Sequence, residues 1–444
     1  MEGEVIGVKS YIAGGIITLV IYLCFEENIV KNPFYKEIIE KLLLFIIILC
    51  SIFNLVLIKL DMGSYNIEIG LFSIILLIYL YIFFIMYKKN FIKKSIDKKI
   101  LLMVICLTLI NMYMLLEPMF LYIYSGESYS LYLLIYFDVE LMLILFLILR
   151  RFNYSQKIII NVISVFSLMN AILGCLQYIT NSVLINFKDS SEQLTQLYIG
   201  GRASGFVMGD NGGGNLGVIL FPVLLYKYKR DKNILNFSLI IADILFTIIT
   251  FTRIAYFAIC VEMLIFILLS VKIRSIKDLI KNITAFSLVI GVGIYFYLNY
   301  FYKITDILFL KRGDTQADRF MQFPLAIKAF FSTPILGTGN GQYNNYVLYK
   351  FGVIDKYVIH SQFLSMIVEE GIINFILFVI FNICLIYMLI KKYNKKKELL
   401  FIIMLVIGNV ICINFNSNQT YEINICIYYL ILFGFLFAKD EIKT

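Results

Sequence analysis

The sequence predicts an all-α, polytopic transmembrane helical bundle of about 12–13 helices, with one large extracytoplasmic loop carrying short interfacial helices. Three observations carry that prediction. Hydrophobic residues make up 61% of the 444 and mean hydropathy is +0.86, too apolar for a soluble globule. The apolar residues recur in runs near the about 20 needed to cross a bilayer. The basic residues gather in every second loop between those runs.

The runs fall near 11–25, 38–58, 67–87, 100–116, 131–149, 158–180, 213–226, 234–251, 254–271, 280–302, 361–390, 399–416 and 421–438. They lack the alternation of barrel strands, so helices must satisfy their backbone hydrogen bonds in lipid. The first run has no small-residue cleavage site after a basic start and reads as a retained helix. Basic clusters at Lys88–Lys99, Arg150-Arg151, Lys227–Lys232, Lys272–Lys281 and Lys391–Lys397 mark cytoplasmic loops. The segments 117–130, 181–212, 303–359 and 416–421 then face outward. The chain divides accordingly. Residues 1–302 are transmembrane helices with short external segments near 200–215 and 250–254, residues 303–359 form the large external loop, and residues 360–444 are C-terminal helices. The net charge of +9 is therefore topology and contact with the lipid bilayer, not nucleic-acid binding.

Composition also bounds the chemistry. The eight cysteines lie in apolar runs without a CxxC, and there is a single histidine, His360. No zinc or iron–sulfur site is expected, no metal and no cofactor. The chain has no phosphate-binding P-loop, which disfavours an ATP-driven pump.

The external segments hold the residues of interest. Gly200-Gly201-Arg202-Ala203-Ser204-Gly205-Phe206, then Asp210-Asn211-Gly212-Gly213-Gly214, runs into a membrane helix. Such a glycine-rich entrance near a helix N-terminus suits an anion. Thr250-Phe251-Thr252-Arg253 joins two helices with no loop between them. In the insert, Asp318–Phe331 predicts a short interfacial helix, with Pro324 starting a helical turn. Thr333-Pro334 and Gly337-Thr338-Gly339-Asn340-Gly341 then predict a tight loop whose N–H groups can meet a ligand. The external arginines 202, 253, 312 and 319 run against the positive-inside trend, and arginine forks suit phosphate oxygens. His360 follows, a base able to change protonation near neutral pH, with Glu369 and Gly371 downstream. Four carboxylates, Asp138, Glu140, Asp243 and Glu262, are the exceptions to otherwise charge-free helices.

In this order the motifs resemble the O-antigen polymerase and ligase superfamily of bacterial envelope proteins. Arg202-x-x-Gly205-Phe206 with Asn211 resembles its Arg-x-x-Gly entrance, and Thr250-Phe251-Thr252-Arg253 its Thr/Ser-Arg helix junction. Arg319, Pro334-x-x-Gly337-x-Gly339, His360 and Glu369-x-Gly371 resemble its large-loop and His-Asn motifs. Departures are Ser361 where Asn is usual, Pro324 for an aromatic, Asp210 for Pro and Asn374 for a second Gly. The resemblance implies a GT-C-like fold and a metal-independent, inverting membrane glycosyltransferase. Its substrates would be undecaprenyl-diphosphate-linked glycans as donor and acceptor, and its product an O-antigen, capsular or exopolysaccharide. His360 would be the general base, with Arg319 and Glu369 also catalytic. Arg202, Arg253 and Arg319 would hold the diphosphate, and Asn211, Gly337, Gly339 and Tyr343 would contact substrate. A chain-length regulator and a flippase are implied partners, and a bacterial inner-membrane location with an extracytoplasmic site is implied. An O-antigen ligase, acting on a lipid A core or other acceptor, stays open beside the polymerase. A lipid-linked-glycan or small-anion transporter is the reading from another class.

Overall fold

A computed structural model describes residues 56–61, 66–70, 73–78, 97–120, 131–149, 156–182, 184, 201–207, 209–270, 315–354, 359–394, 396–416 and 421–438. The expected runs at 11–25 and 280–302, and Arg312, lie outside the described residues.

The described chain is a helical bundle. Its helices are α1 (Lys98–Phe120), α2 (Leu131–Leu149), α3 (Gln156–Thr180), α4 (Asp210–Arg230), α5 (Ile234–Ile249) and α6 (Arg253–Ser270). The insert and the C-terminal segment supply α7 (Thr315–Ser332), α8 (Tyr343–Phe351), α9 (Gln362–Glu369), α10 (Gly371–Tyr393), α11 (Glu398–Ile413) and α12 (Glu422–Phe437). Among the described residues, α3, α10 and the Lys98–Glu117 part of α1 are long and apolar enough to cross a membrane.

Three expectations need correction. The runs 38–58 and 67–87 reach into a two-stranded antiparallel hairpin, β1 (Val56–Asp61) with β2 (Asn66–Gly70), pairing Ile58 with Ile69 and Leu60 with Ile67. Lys59, Asp61, Asn66 and Glu68 alternate with apolar residues there, a period of two that suits strands. The run 361–390 is two helices, broken at Glu370-Gly371, where Gly371 takes φ +77°. Pro324 does not start its helix but lies inside α7.

Two helices form the middle of the bundle. α12 is buried along nearly its whole length, and so is α4 from Leu216 to Tyr226. Apolar on all sides, both must be surrounded by other helices. α4 packs against α5 and α11, α6 against α11, α10 against α1, and α12 against α2. Without a hydrophobic drive in lipid, such contacts depend on close packing of small residues. Gly213 and Gly217 provide it on α4, since a Cβ at Gly217 would come 2.0 Å from Thr247 Oγ1.

The two ends of the bundle differ in charge. Lys98, Lys99, Lys227, Lys229, Arg230, Lys391, Lys392, Lys396 and Lys397 lie where α1 and α11 begin and where α4 and α10 end. Lys392 Nζ there donates to the carbonyls of Phe435 (2.9 Å) and Leu436 (3.0 Å), satisfying orphan groups at the C-terminus of α12. The other end gathers the starts of α4, α6, α9 and α10 and the ends of α5 and α11. The deep carboxylates lie between. Asp138 accepts from Ser73 Oγ at 2.7 Å, and Glu140 from Asn111 Nδ2 at 2.6 Å. Asp243 and Glu262 are fully buried.

Candidate functional site

At the weakly basic end, Arg202 ties three segments together. Its Nε donates to the Thr250 carbonyl at 2.8 Å. Its Nη2 reaches Asn211 Oδ1 (3.2 Å), the Phe251 carbonyl (3.3 Å) and Thr252 Oγ1 (3.4 Å). The junction it grips is strained, because Phe251 takes φ +50°, a cost of about 1–3 kcal/mol for a bulky residue. One hydrogen bond to a charged group contributes about 1.5–3 kcal/mol, so the guanidinium is enough to hold the turn that presents Arg253. Gly214 allows the fit, since a Cβ there would meet Thr252 Cβ at 2.5 Å.

The Ala203–Phe206 segment is pinned from behind by two amides on α3. Gln177 Oε1 accepts the N–H groups of Ser204 (3.1 Å) and Gly205 (2.8 Å), and its Nε2 donates to the Gly205 carbonyl at 3.1 Å. Asn170 Oδ1 accepts the Phe206 N–H at 2.9 Å. Gly205, at φ +62°, lies so close to Asn170 that a Cβ would come 2.2 Å from Oδ1. The sequence reading missed Asn170 and Gln177. The available signal was an uncharged amide at two buried positions of an otherwise apolar helix.

A second corner is built where the insert meets the break between α9 and α10. Thr338 N–H donates to the Val368 carbonyl (2.9 Å), Gly339 N–H to the Glu369 carbonyl (3.0 Å), and Ile372 N–H to the Pro334 carbonyl (3.0 Å). Gly337 N–H donates to Thr333, and Asn340 N–H to Glu117 Oε1 at 3.1 Å on α1. The expectation that this loop offers its N–H groups to an anion therefore fails at 337–340, where protein oxygens use them. Gly337 and Gly339 are docking glycines. Both have positive φ, +76° and +99°.

Glu369 closes this corner. Its carboxylate is buried, accepts Ser365 Oγ at 3.1 Å, and is hydrogen-bonded by the backbone N–H groups of Gly341 and Tyr343. Glu369 precedes the apolar span that starts at Gly371. Burial pushes its pKa up to about 7, against the opposing pull of those hydrogen bonds. Glu369 thus anchors the first turn of α8, and Tyr343 is buried there at 3% exposure.

His360 is partly buried and stands directly before the N-cap of α9. The cap is Ser361, whose Oγ accepts the Leu364 N–H at 3.4 Å and donates to Asn414 Oδ1 at 3.4 Å. Serine and asparagine are equally good N-caps, so Ser361 preserves this local role of the usual Asn. Asn414 ends α11, and two residues on, the Asn416 carbonyl accepts from Asn215 Nδ2 of α4 at 3.1 Å. The 414–416 turn thereby joins the His360 corner to the start of α4. Arg319 lies in α7; its side chain is outside the described residues. Among the described residues no group of three or more His, Cys, Asp or Glu forms a metal site.

Residues 237–379 match a protein family described as O-antigen ligase. The match begins in α5, passes through the Arg253 junction, the insert and His360, and ends in α10. No match to a curated protein accompanies it.

Proposed function

We propose that this membrane protein is a polysaccharide polymerase that transfers a glycan from a polyprenyl diphosphate to a second lipid-linked unit, and the match of residues 237–379 to a family described as O-antigen ligase supports an envelope-glycan enzyme. One observation carries the reading. The Arg202–Arg253 corner and the His360 corner occupy the same end of the bundle, joined through Asn414–Asn416 and Asn215. The basic clusters at the opposite end support an extracytoplasmic site by the positive-inside rule, and we assign the protein to the inner membrane of a bacterium.

Chemistry divides between the two corners. The diphosphate is the leaving group, already at the membrane surface, and its departure needs preorganised positive charge. Arg253 supplies that charge at the first residue of α6, where the helix dipole adds to it. Arg319, a residue of α7, is assigned to the diphosphate as well by the motif it resembles, and Arg202 holds the turn in place with Asn211. His360 takes the proton from the acceptor hydroxyl as its oxygen attacks the anomeric carbon. The bond to the diphosphate breaks in the same displacement, which inverts that carbon. The reaction as proposed uses neither a metal nor an organic cofactor.

The family's description, O-antigen ligase, supports a second reading, a ligase; its acceptor would be a lipid A core or another molecule. Glycan chain length in a deletion strain separates the two. Loss of the polymerase leaves single repeat units, whereas loss of the ligase leaves long polymer on its lipid carrier. A transporter in place of either enzyme would make the purified protein inert toward synthetic lipid-linked repeats.

A further inference from the structure

On the other side of α11 from Arg253 lies a lateral apolar groove of about 210 Å³. Its walls are α10 and α11 and its floor is α12, with Ile383 and Val410 at the rim. The two wall helices are joined by a short turn at the basic end and make sparse contact with each other. The groove starts at Gln362 and Phe363, right after His360-Ser361, and extends inward past Asn382 and Asn409. At its head, Gln362 is 4% exposed and, among the described residues, its Oε1 accepts no hydrogen bond.

We infer that this groove holds the polyisoprenyl tail of the acceptor, an inference that rests on the polymerase reading above. α11 has two working faces. Gly408 and Cys412 pack on Val218 of α4, and Cys412 shares a cluster with Ala255 and Ala258 of α6, on the side of the arginine corner. Val406, Asn409, Val410 and Ile413 face the groove. A donor with its diphosphate at Arg253 therefore lies across α11 from a lipid in the groove, whose head residue Gln362 follows His360 by two positions. That is the arrangement a reaction between two lipid-linked substrates needs. Burial of a prenyl chain in the groove gains little against the surrounding lipid. Selectivity must then come from the head, where the Gln362 carbonyl accepts a hydrogen bond from the acceptor.

The test uses the full-length protein in nanodiscs with a C55-linked donor and acceptors of identical glycan on C55 or C10 tails. Val410→Trp and Ile383→Trp fill the groove from its exposed rim, leaving the core intact. The KM for the C55 acceptor is expected to rise ten-fold or more, with the C10 acceptor and the donor unchanged. A diazirine-tailed C55 acceptor should label α10 or α11 rim residues, and a diazirine phospholipid should not. Equal effects on both tail lengths, a change confined to the donor, or equal labelling by phospholipid would overturn the inference while transfer by the unaltered protein leaves the polymerase intact. Absence of any transfer by the unaltered protein overturns both.

Discussion

Gly337 and Gly371 stand back to back. A Cβ on Gly337 would lie 2.2 Å from the Glu369 carbonyl oxygen, and one on Gly371 2.2 Å from the Ile335 carbonyl oxygen. Their positive φ values, +76° and +77°, add backbone strain to any substitution. The Pro-x-x-Gly-x-Gly and Glu-x-Gly motifs, distant in sequence, are thus two halves of one backbone joint.

Gly371→Ala should cost at least about 2 kcal/mol and detach the insert, because a backbone clash and a forced left-handed alanine act together. Gly341→Ala is the control, with no atom within 4 Å of its Cβ and only the φ of +70° to strain it. Limited proteolysis of the insert and thermal unfolding in detergent read the difference. Equal behaviour of the two variants would remove the joint from the account.

Arg202→Lys should lower stability and transfer together, because an ammonium cannot serve Thr250, Phe251, Thr252 and Asn211 at once. Arg253→Lys should weaken diphosphate binding at unchanged melting temperature. Thermal shift with and without polyprenyl diphosphate separates the two. A stable Arg202→Lys with full activity would show that the brace is dispensable.

Glu369 has a pH signature. Its folded pKa of about 7 lies above the ordinary 4.5. Between those values the folded protein keeps a proton that the unfolded chain has released, so stability falls as pH rises through the window and levels off above it. The size is roughly 3 kcal/mol. Glu369→Gln should flatten that dependence. A Gln variant with the same slope between pH 4.5 and 7 would move the titration to another group.

Ser361→Asn should be nearly silent in folding and activity, because both side chains cap α9. Ser361→Ala should cost about 1 kcal/mol and reduce transfer by moving His360. Circular dichroism melts with parallel transfer assays check both.

The fold class was legible because composition and the spacing of basic loops report the bilayer directly. Arg202, Thr250–Arg253 and His360 were legible as motifs. Their functions within the structure were less so. Nothing in the pattern says that the fork of Arg202 grips Thr250 and Phe251, or that the donors of Thr338 and Gly339 go to Val368 and Glu369. Hydropathy ran through Glu370-Gly371 without a break, because one short apolar helix leads directly into a long one. Asn170, Gln177 and Asn414 act across helices, and their partners are set by packing that no local pattern records.

The most direct measurement is single-turnover transfer by His360→Ala, purified at normal yield and supplied with both lipid-linked substrates. Unaltered protein should build polymer. The variant should bind the donor with unchanged affinity and transfer at less than about a hundredth of the rate, the scale of a lost general base. A variant that still elongates at full rate would contradict the account at its centre.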